Sequence, residues 1–386
     1  MAFTGKATYT AGTALPELAE DVSDLIGIIS PVDIPLLDAL GDPLREATSI
    51  RHEWLEDELL PNKDAINDAT WTNPAADTTF DVDNGGRFRI GDQIQAEGSE
   101  ELMFVTAVAG NTLTVVRGYA GTTPENLGND KILNILGNAA LEGAEKPNAR
   151  FTNRVRCGNY TQIFTATVEV SGSDMASSQL GLADEMDYQK QNRLRELVCH
   201  LERTVINGGQ PESDPEGSGT VRRTMKGIIQ HLDTNIFHTG DSGFPVGNDL
   251  DEAKINYVLR KIWENSSGNV DLIVVGGFQK RKINAFCSES RSYGANDTTF
   301  TDMVSIYESD FGICRIVTAR GIPQDAVLFL DSSRISVLPL AGRSFHFKPL
   351  ASAGDYECGE LIGEYTLELK NEAAHGLIRG LTTSEG

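Results

Sequence analysis

The stretch GLADEMDYQKQNRLRELVCHLERTVINGG, residues 181–209, sets the architecture. Met186, Leu194, Leu197, Val198, Leu201 and Val205 fall on one face of a 3.6-residue period. Lys190, Arg193, Arg195, Glu196 and Glu202 occupy the opposite face. Asn207-Gly208-Gly209 supplies residues that tolerate a left-handed stop. The spacing predicts a helix over 178–207, a rod of about 45 Å at 1.5 Å per residue. A charged, one-sided rod of that length exceeds what a small core needs and suits a subunit that is broad and thin.

Downstream of the rod, helices and strands mix. QPESDPEGSGT (210–220) reads as a flexible loop. Asn248-Asp249 is expected to cap a helix over 250–265, with Leu250, Ile255, Val258, Leu259 and Ile262 inward. DLIVVGG (271–277) is a continuous apolar run of the kind found in buried strands, and GFQKRKINAF (277–286) continues as an amphipathic helix. ICRIVTA (313–319), AVLFLD (326–331), RISVLPL (334–340) and GEYTLELK (363–370) read as further strands.

Upstream, FTATVEVSG (164–172) alternates Phe164, Ala166, Val168 and Val170 as a half-buried strand. Residues 78–122 read as a self-contained β module. Phe88, Ile90, Ile94 and Ala96 are expected on one side, and two β-branched runs flank Gly110-Asn111, a tight hairpin pair. Residues 123–150 are rich in Gly, Asn and Pro and are expected to be irregular; 51–77 are polar, with Trp54 and Trp71 as isolated anchors. Residues 1–50 read as an extended arm with at most one short helix, in ELAEDVSDLIGIIS (17–30). Pro31 and Pro35 are expected to hold SPVDIP (30–35) extended or in turns. No repeat of 20–50 residues is present.

Composition excludes several classes. With 33 Lys and Arg against 56 Asp and Glu, the net charge is −23. Residues 1–60 hold Lys6, Arg45 and Arg51 against twelve acids, the opposite of a basic nucleic-acid arm. No run approaches the ~20 apolar residues of a membrane span. The opening MAFTGKATYTAGTALPELAE has no signal-peptide core, so folding in a reducing cytoplasm is expected. Five scattered cysteines without a CxxC pair fit buried thiols better than a disulfide framework or zinc site.

Motifs for chemistry are weak. Gly276-Gly277 lacks the rest of a dinucleotide or P-loop signature. Cys199-His200 on the rod has no second His at i+4, and His231 and His238 straddle a turn. Asp57-Glu58 and Asp184-Glu185 read as solvated faces. No GxSxG elbow appears. The expectation is no catalytic, cofactor-binding or metal residue, no cofactor, and no enzyme.

The ordered set of segments resembles the tailed-bacteriophage major capsid proteins with the Hong Kong phage-type capsid fold. AEDVSDLIGIISPVDIPLLDALG (19–41) is similar to that family's arm, and HEWLEDEL (52–59) to the start of its extended loop. LRELVCHLERTVINGG (194–209) with MKGIIQHL (225–232) resembles its spine helix and exit. LDEAKINYVLRKIWENSSGNVDLIVVGGFQKRKINAF (250–286) resembles its axial-domain helix, strand and helix. VSIYESDFGICRIV (304–317), LFLDSSRISVLPL (328–340) and GEYTLELKNEAAHGLIRGL (363–381) resemble its C-terminal strands. The match touches nearly the whole chain.

The resemblance implies an α+β fold with five parts. These are an arm (1–50), an extended loop region (51–150) carrying the β insertion 78–122, and a peripheral domain (151–225) with the spine helix 178–207. An axial domain (226–342) follows, and then strands at 343–386 that return to the peripheral domain. It implies self-assembly as hexamers and pentamers into an icosahedral head enclosing double-stranded DNA without sequence-specific binding, in a virion assembled in the host cytoplasm and without membrane. Because the arm signature starts within the first twenty residues, a separate scaffolding protein is expected, besides a portal; a decoration protein is compatible. Some relatives cross-link through a loop lysine, but Lys63, Lys131 and Lys146 match no such motif. The alternatives are an encapsulin-type nanocompartment shell, a secreted β-rich binding protein and an enzyme.

Overall fold

The computed structural model describes residues 33–384 apart from 44, 70, 72, 74, 144, 147, 148, 177–184, 290–304 and 353. The expected arm helix at 17–30 lies outside the described residues. The chain forms two compact units, one from residues 1–54 and 156–386 and one from 55–155.

In chain order, α1 (Pro35–Leu40) precedes β1 (Arg51–Glu56). The smaller unit follows with β2 (Lys63–Ala65), β3 (Thr79–Asp81), β4 (Asp92–Ala96), β5 (Leu102–Ala109), β6 (Thr112–Val116) and β7 (Ile132–Asn138). The chain returns along β8 (Val155–Tyr160), which pairs with β1, to β9 (Gln162–Ser171), α2 (Gly172–Ala176) and α3 (Glu185–Asn207). Next come α4 (Ile228–His231), β10 (Ile236–His238), α5 (Glu252–Asn265), β11 (Leu272–Val275) and α6 (Gly277–Glu289). The last elements are β12 (Ile306–Ser309), β13 (Gly312–Thr318), β14 (Val327–Leu330), β15 (Ile335–Pro339), β16 (His346–Leu350), β17 (Tyr356–Leu369) and β18 (Gly376–Arg379).

Besides the β1–β8 pair, the described residues of the larger unit form two larger sheets. One orders its strands β10-β18-β14-β11-β13-β12. Its centre, β11 (LIVV) and β14 (VLFL), is buried at every residue because both faces are covered, which is why these strands read as continuous apolar runs. One face packs with α5 through Ile255, Val258, Leu259 and Ile262. The other packs with Leu197, Leu201 and Val205 of α3. In the second sheet, β17 pairs with β15, β16 and β9, and its register with β9 runs from Tyr356↔Ser171 to Tyr365↔Gln162.

Several expectations need correction. Residues 178–184 of the expected rod lie outside the described residues, and the remainder, 185–207, is helical throughout as α3. Leu194 is 37% exposed, whereas Glu202, expected on the solvated face, is buried, because α1 packs there and its backbone needs an acceptor. Pro35 starts a helix and does not extend the chain: its missing N–H is harmless in the first turn. Asp251, not Asn248-Asp249, caps α5, its carboxylate accepting from Lys254 N at 2.9 Å. The C-terminal strands do not all join one sheet. β17 pairs with β9, but β18 returns to the six-stranded sheet beside β14, where Leu377 and Ile378 fill its two faces.

The smaller unit is one six-stranded sheet, β2-β7-β4-β5-β6-β3, around Ile66, Phe80, Ile94, Met103, Val105, Leu113, Val115 and Leu133. It therefore takes in strands on both sides of 78–122. Residues 132–138, expected to be irregular, form β7, against which β4 pairs. The Gly110-Asn111 turn joins β5 and β6, with Gly110 at φ +62°. Ile90 is 67% exposed, unlike Phe88, Ile94 and Ala96. Gly91 turns the chain at φ +92°, so the alternation does not run through it.

Candidate functional site

Among the described residues, no three His, Cys, Asp or Glu side chains converge as a metal site. Gly276-Gly277 is the turn from β11 into α6. Cys199 and His200 lie on α3, His238 on the edge strand β10, and His231 is half-buried on α4. Burial of its ring, with Lys226 and His375 nearby, pushes the His231 pKa down to about 3. Asp57 is spent on Thr152 and Arg154. Asp184 lies outside the described residues, and Glu185 opens α3.

The polar groups the structure does bring together are structural carboxylates held by fixed donors. Glu202 of α3 accepts from Leu36 N at 3.1 Å and Leu37 N at 3.3 Å, capping α1. Burial pushes its pKa up against those two bonds. Glu368 on β17 is met by Lys370 Nζ at 2.7 Å, His52 Nε2 at 2.8 Å and Arg45 Nη2 at 3.0 Å. Burial alone would raise the Glu368 pKa, but these partners outweigh it and hold the carboxyl below the usual range. Glu364, two side chains along the same strand face, accepts from Thr161 Oγ1 and Arg223 Nη2, each at 2.6 Å, and forms an ion pair with Arg343, whose Nε stands 2.7 Å away. With the Ala47–Leu340 bridge, the contacts of Glu202 and Glu368 fasten residues 35–52 to the rest of the larger unit.

The smaller unit has its own node. Glu101 is fully buried and takes Arg117 through two bonds of 2.7 Å, plus Gly118 N at 3.0 Å and Glu125 N at 2.8 Å. Arg117 also donates to the carbonyls of Asp77 and Glu125. Burial opposes the charge of Glu101, but Arg117 and the two amides prevail and lower its pKa. No local pattern marks Glu101, Glu202, Glu364 or Glu368 as buried; only Arg117, set directly after the apolar TLTVV run, signals an interior cation.

The surface has uncovered apolar places. Among the described residues, β12 is an edge strand of the six-stranded sheet. Ile306 and Ile313 lie exposed on one face of the β12–β13 hairpin, and Phe311 in its turn stands 6.0 Å from the exposed Trp263. A free apolar edge left bare promotes association.

A family model described as SU10 major capsid protein matches residues 3–382. The chain belongs to that family. This major capsid protein forms the virion shell of a tailed phage and associates with itself in doing so. Solved structures support the Hong Kong phage-type capsid fold. The capsid of the native GTA particle aligns at TM-score 0.52 and 10% identity, over 98% of this chain and 100% of that one. The capsid of Myoviridae phage XM1 aligns at TM-score 0.52 and 9% identity, over 96% and 100%. An encapsulin complex from Synechococcus elongatus PCC 7942 covers 61% of the capsid protein and 79% of its own chain at 10% identity, with a TM-score of 0.43, too low to argue from. No curated protein sequence matches the capsid protein.

Proposed function

We propose that the protein assembles as hexamers and pentamers into an icosahedral head enclosing packaged double-stranded DNA, and acts as a structural tile without catalysis. In this reading residues 55–155 are the extended loop, α3 is the spine helix, and the six-stranded sheet with α5 is the axial domain. The observation that carries it is the cluster of exposed apolar side chains, Ile306 and Ile313 on the β12–β13 hairpin and Trp263 of α5 beside the half-buried Phe311, on a protein whose family builds shells. Rings need such a surface covered by a second copy. The carboxylates are held by fixed donors, which supports a mechanical role over acid–base work. A portal, a scaffolding protein and a decoration protein are the proposed partners. The net charge of −23 keeps the wall from gripping DNA broadly. Light scattering across protein concentration, with a scaffolding protein supplied where one is encoded nearby and Trp263→Glu beside the wild type, tests the reading. Wild-type rings or shells and a variant that stays smaller are expected; a wild type that stays monomeric overturns it.

A further inference from the structure

Against this acidic background, the solvent side of α3 carries cations without carboxylate partners among the described residues. Arg195 is exposed, and its side chain meets only the neutral Asn192, at 3.4 Å. Arg203, two turns on and about 12 Å along the axis, is exposed and has no carboxylate partner among the described residues. It opens onto a cleft of about 350 Å³ that Thr204, Asn207, Gly208, Arg320 and Gly321 also line. Gly321 lets the Arg203 stem lie against the backbone, since a Cβ there would come within 3.3 Å of Arg203 Cγ. Asn207 Nδ2 ties the two walls by donating to Gly321 O at 2.6 Å. Arg320 pairs through Nε with Asp33 at 3.1 Å, but both are about two-thirds exposed, so that pair is weak and exchangeable. Glu196, the other carboxylate on this side, is already bound to Arg193.

We propose that Arg195, Arg203 and Arg320 form a contact for the phosphodiester backbone of the enclosed double-stranded DNA. The inference rests on the reading of the protein as a DNA-enclosing shell. Guanidinium forks match phosphate oxygens in pairs of hydrogen bonds. The arginines stand as isolated points on a repelling wall, so each subunit touches the backbone briefly and reads no base. The competing role for Arg203 is to complement the carbonyl end of α3; that role does not depend on DNA.

Phenylglyoxal modification of DNA-filled particles and of the same particles emptied, mapped by mass spectrometry, separates the two. Arg195, Arg203 and Arg320 are expected to react severalfold more slowly in filled particles. Arg260, 66% exposed and paired with Glu264, serves as the unchanged control. Equal reactivity of the three arginines in filled and empty particles overturns the inference and leaves the shell reading intact. Protection of Arg203 in empty particles by inorganic phosphate, as complete as that by DNA, makes the cleft a free-phosphate site and also overturns it. In the Arg195→Gln/Arg203→Gln double variant, the salt dependence of duplex binding by unassembled protein should flatten by about two counterions, at 0.9 per phosphate; an unchanged slope contradicts the proposal. Failure of the wild type to form any particle sinks both readings.

Discussion

Glu101→Gln isolates the node that holds the smaller unit together. The substitution keeps the shape and removes the charge. Arg117, only 5% exposed in its side chain, then faces a neutral amide. Each Glu101 oxygen accepts two N–H bonds, one from Arg117 and one from Gly118 or Glu125, and the oxygen that becomes an NH2 loses both. Breaking a buried pair by removing one partner costs about 3–5 kcal/mol. The range applies without a screening discount, because neither side chain reaches solvent. The larger unit shares none of these contacts. Hydrogen exchange of the full-length protein is the assay, since it reads each segment separately. Amides of β4, β5 and β6 should exchange at least about a hundredfold faster in the variant, at 1.4 kcal/mol per factor of ten. Amides of β11 and β14 should be unchanged. Protection in β5 and β6 within a factor of about three of wild type, under 1 kcal/mol, would refute the claim that the ion pair organises this unit.

Other outcomes follow from the same contacts. Leu197→Asp buries a carboxylate in the core beside Leu201 and Val205 and should abolish soluble protein. Leu194→Asp, three residues away and 37% exposed, should shift stability by no more than about 1 kcal/mol in urea unfolding. Burial depresses the pKa of His231 to about 3 and of His375 to about 4, so the folded protein keeps both rings neutral where the unfolded chain protonates them. Their contribution is complete above pH ~6.5 and falls by about 1.4 kcal/mol per ring per pH unit below it. Unfolding free energies extrapolated from urea titrations at pH 7.5 and 5 should therefore differ by about 4 kcal/mol, and a flat profile would contradict the burial of these rings. Replacing 78–122 with a Gly-Ser linker should give insoluble protein, because it strips β7 of β4 and bares Leu133. Replacing 63–134 should spare the helical circular dichroism, because the cut ends are already adjacent, with Ile135 N bonded to Asn62 O at 2.7 Å.

Much of the fold is legible where burial follows a local period. Leu197, Leu201 and Val205 mark the face of α3, and DLIVV marks a strand with both faces covered. The Gly110-Asn111 pair marks a hairpin because the turn demands a positive φ at Gly110. Legibility ends where a distant segment decides. Glu202 looks like a solvent position until α1, 165 residues upstream, brings two N–H groups to it. Glu364 and Glu368 alternate with Tyr365, Leu367 and Leu369 as an exposed face would, yet Arg45, His52, Arg223 and Arg343 cover them. Ile132–Asn138 contains Gly137 and two asparagines, and only pairing with β4 makes it a strand. The division of β17 and β18 between two sheets is a long-range choice that no window of sequence contains. Function came from the order of segments along the chain, since no catalytic motif or charge pattern points to a shell.

Electron microscopy of the expressed full-length protein, with a scaffolding protein supplied where one is encoded nearby, tests the central claim most directly. Closed icosahedral shells, or rings of five and six subunits, are the expected result. A uniform 41.8 kDa monomer at every concentration, with no rings on the grid, would contradict it.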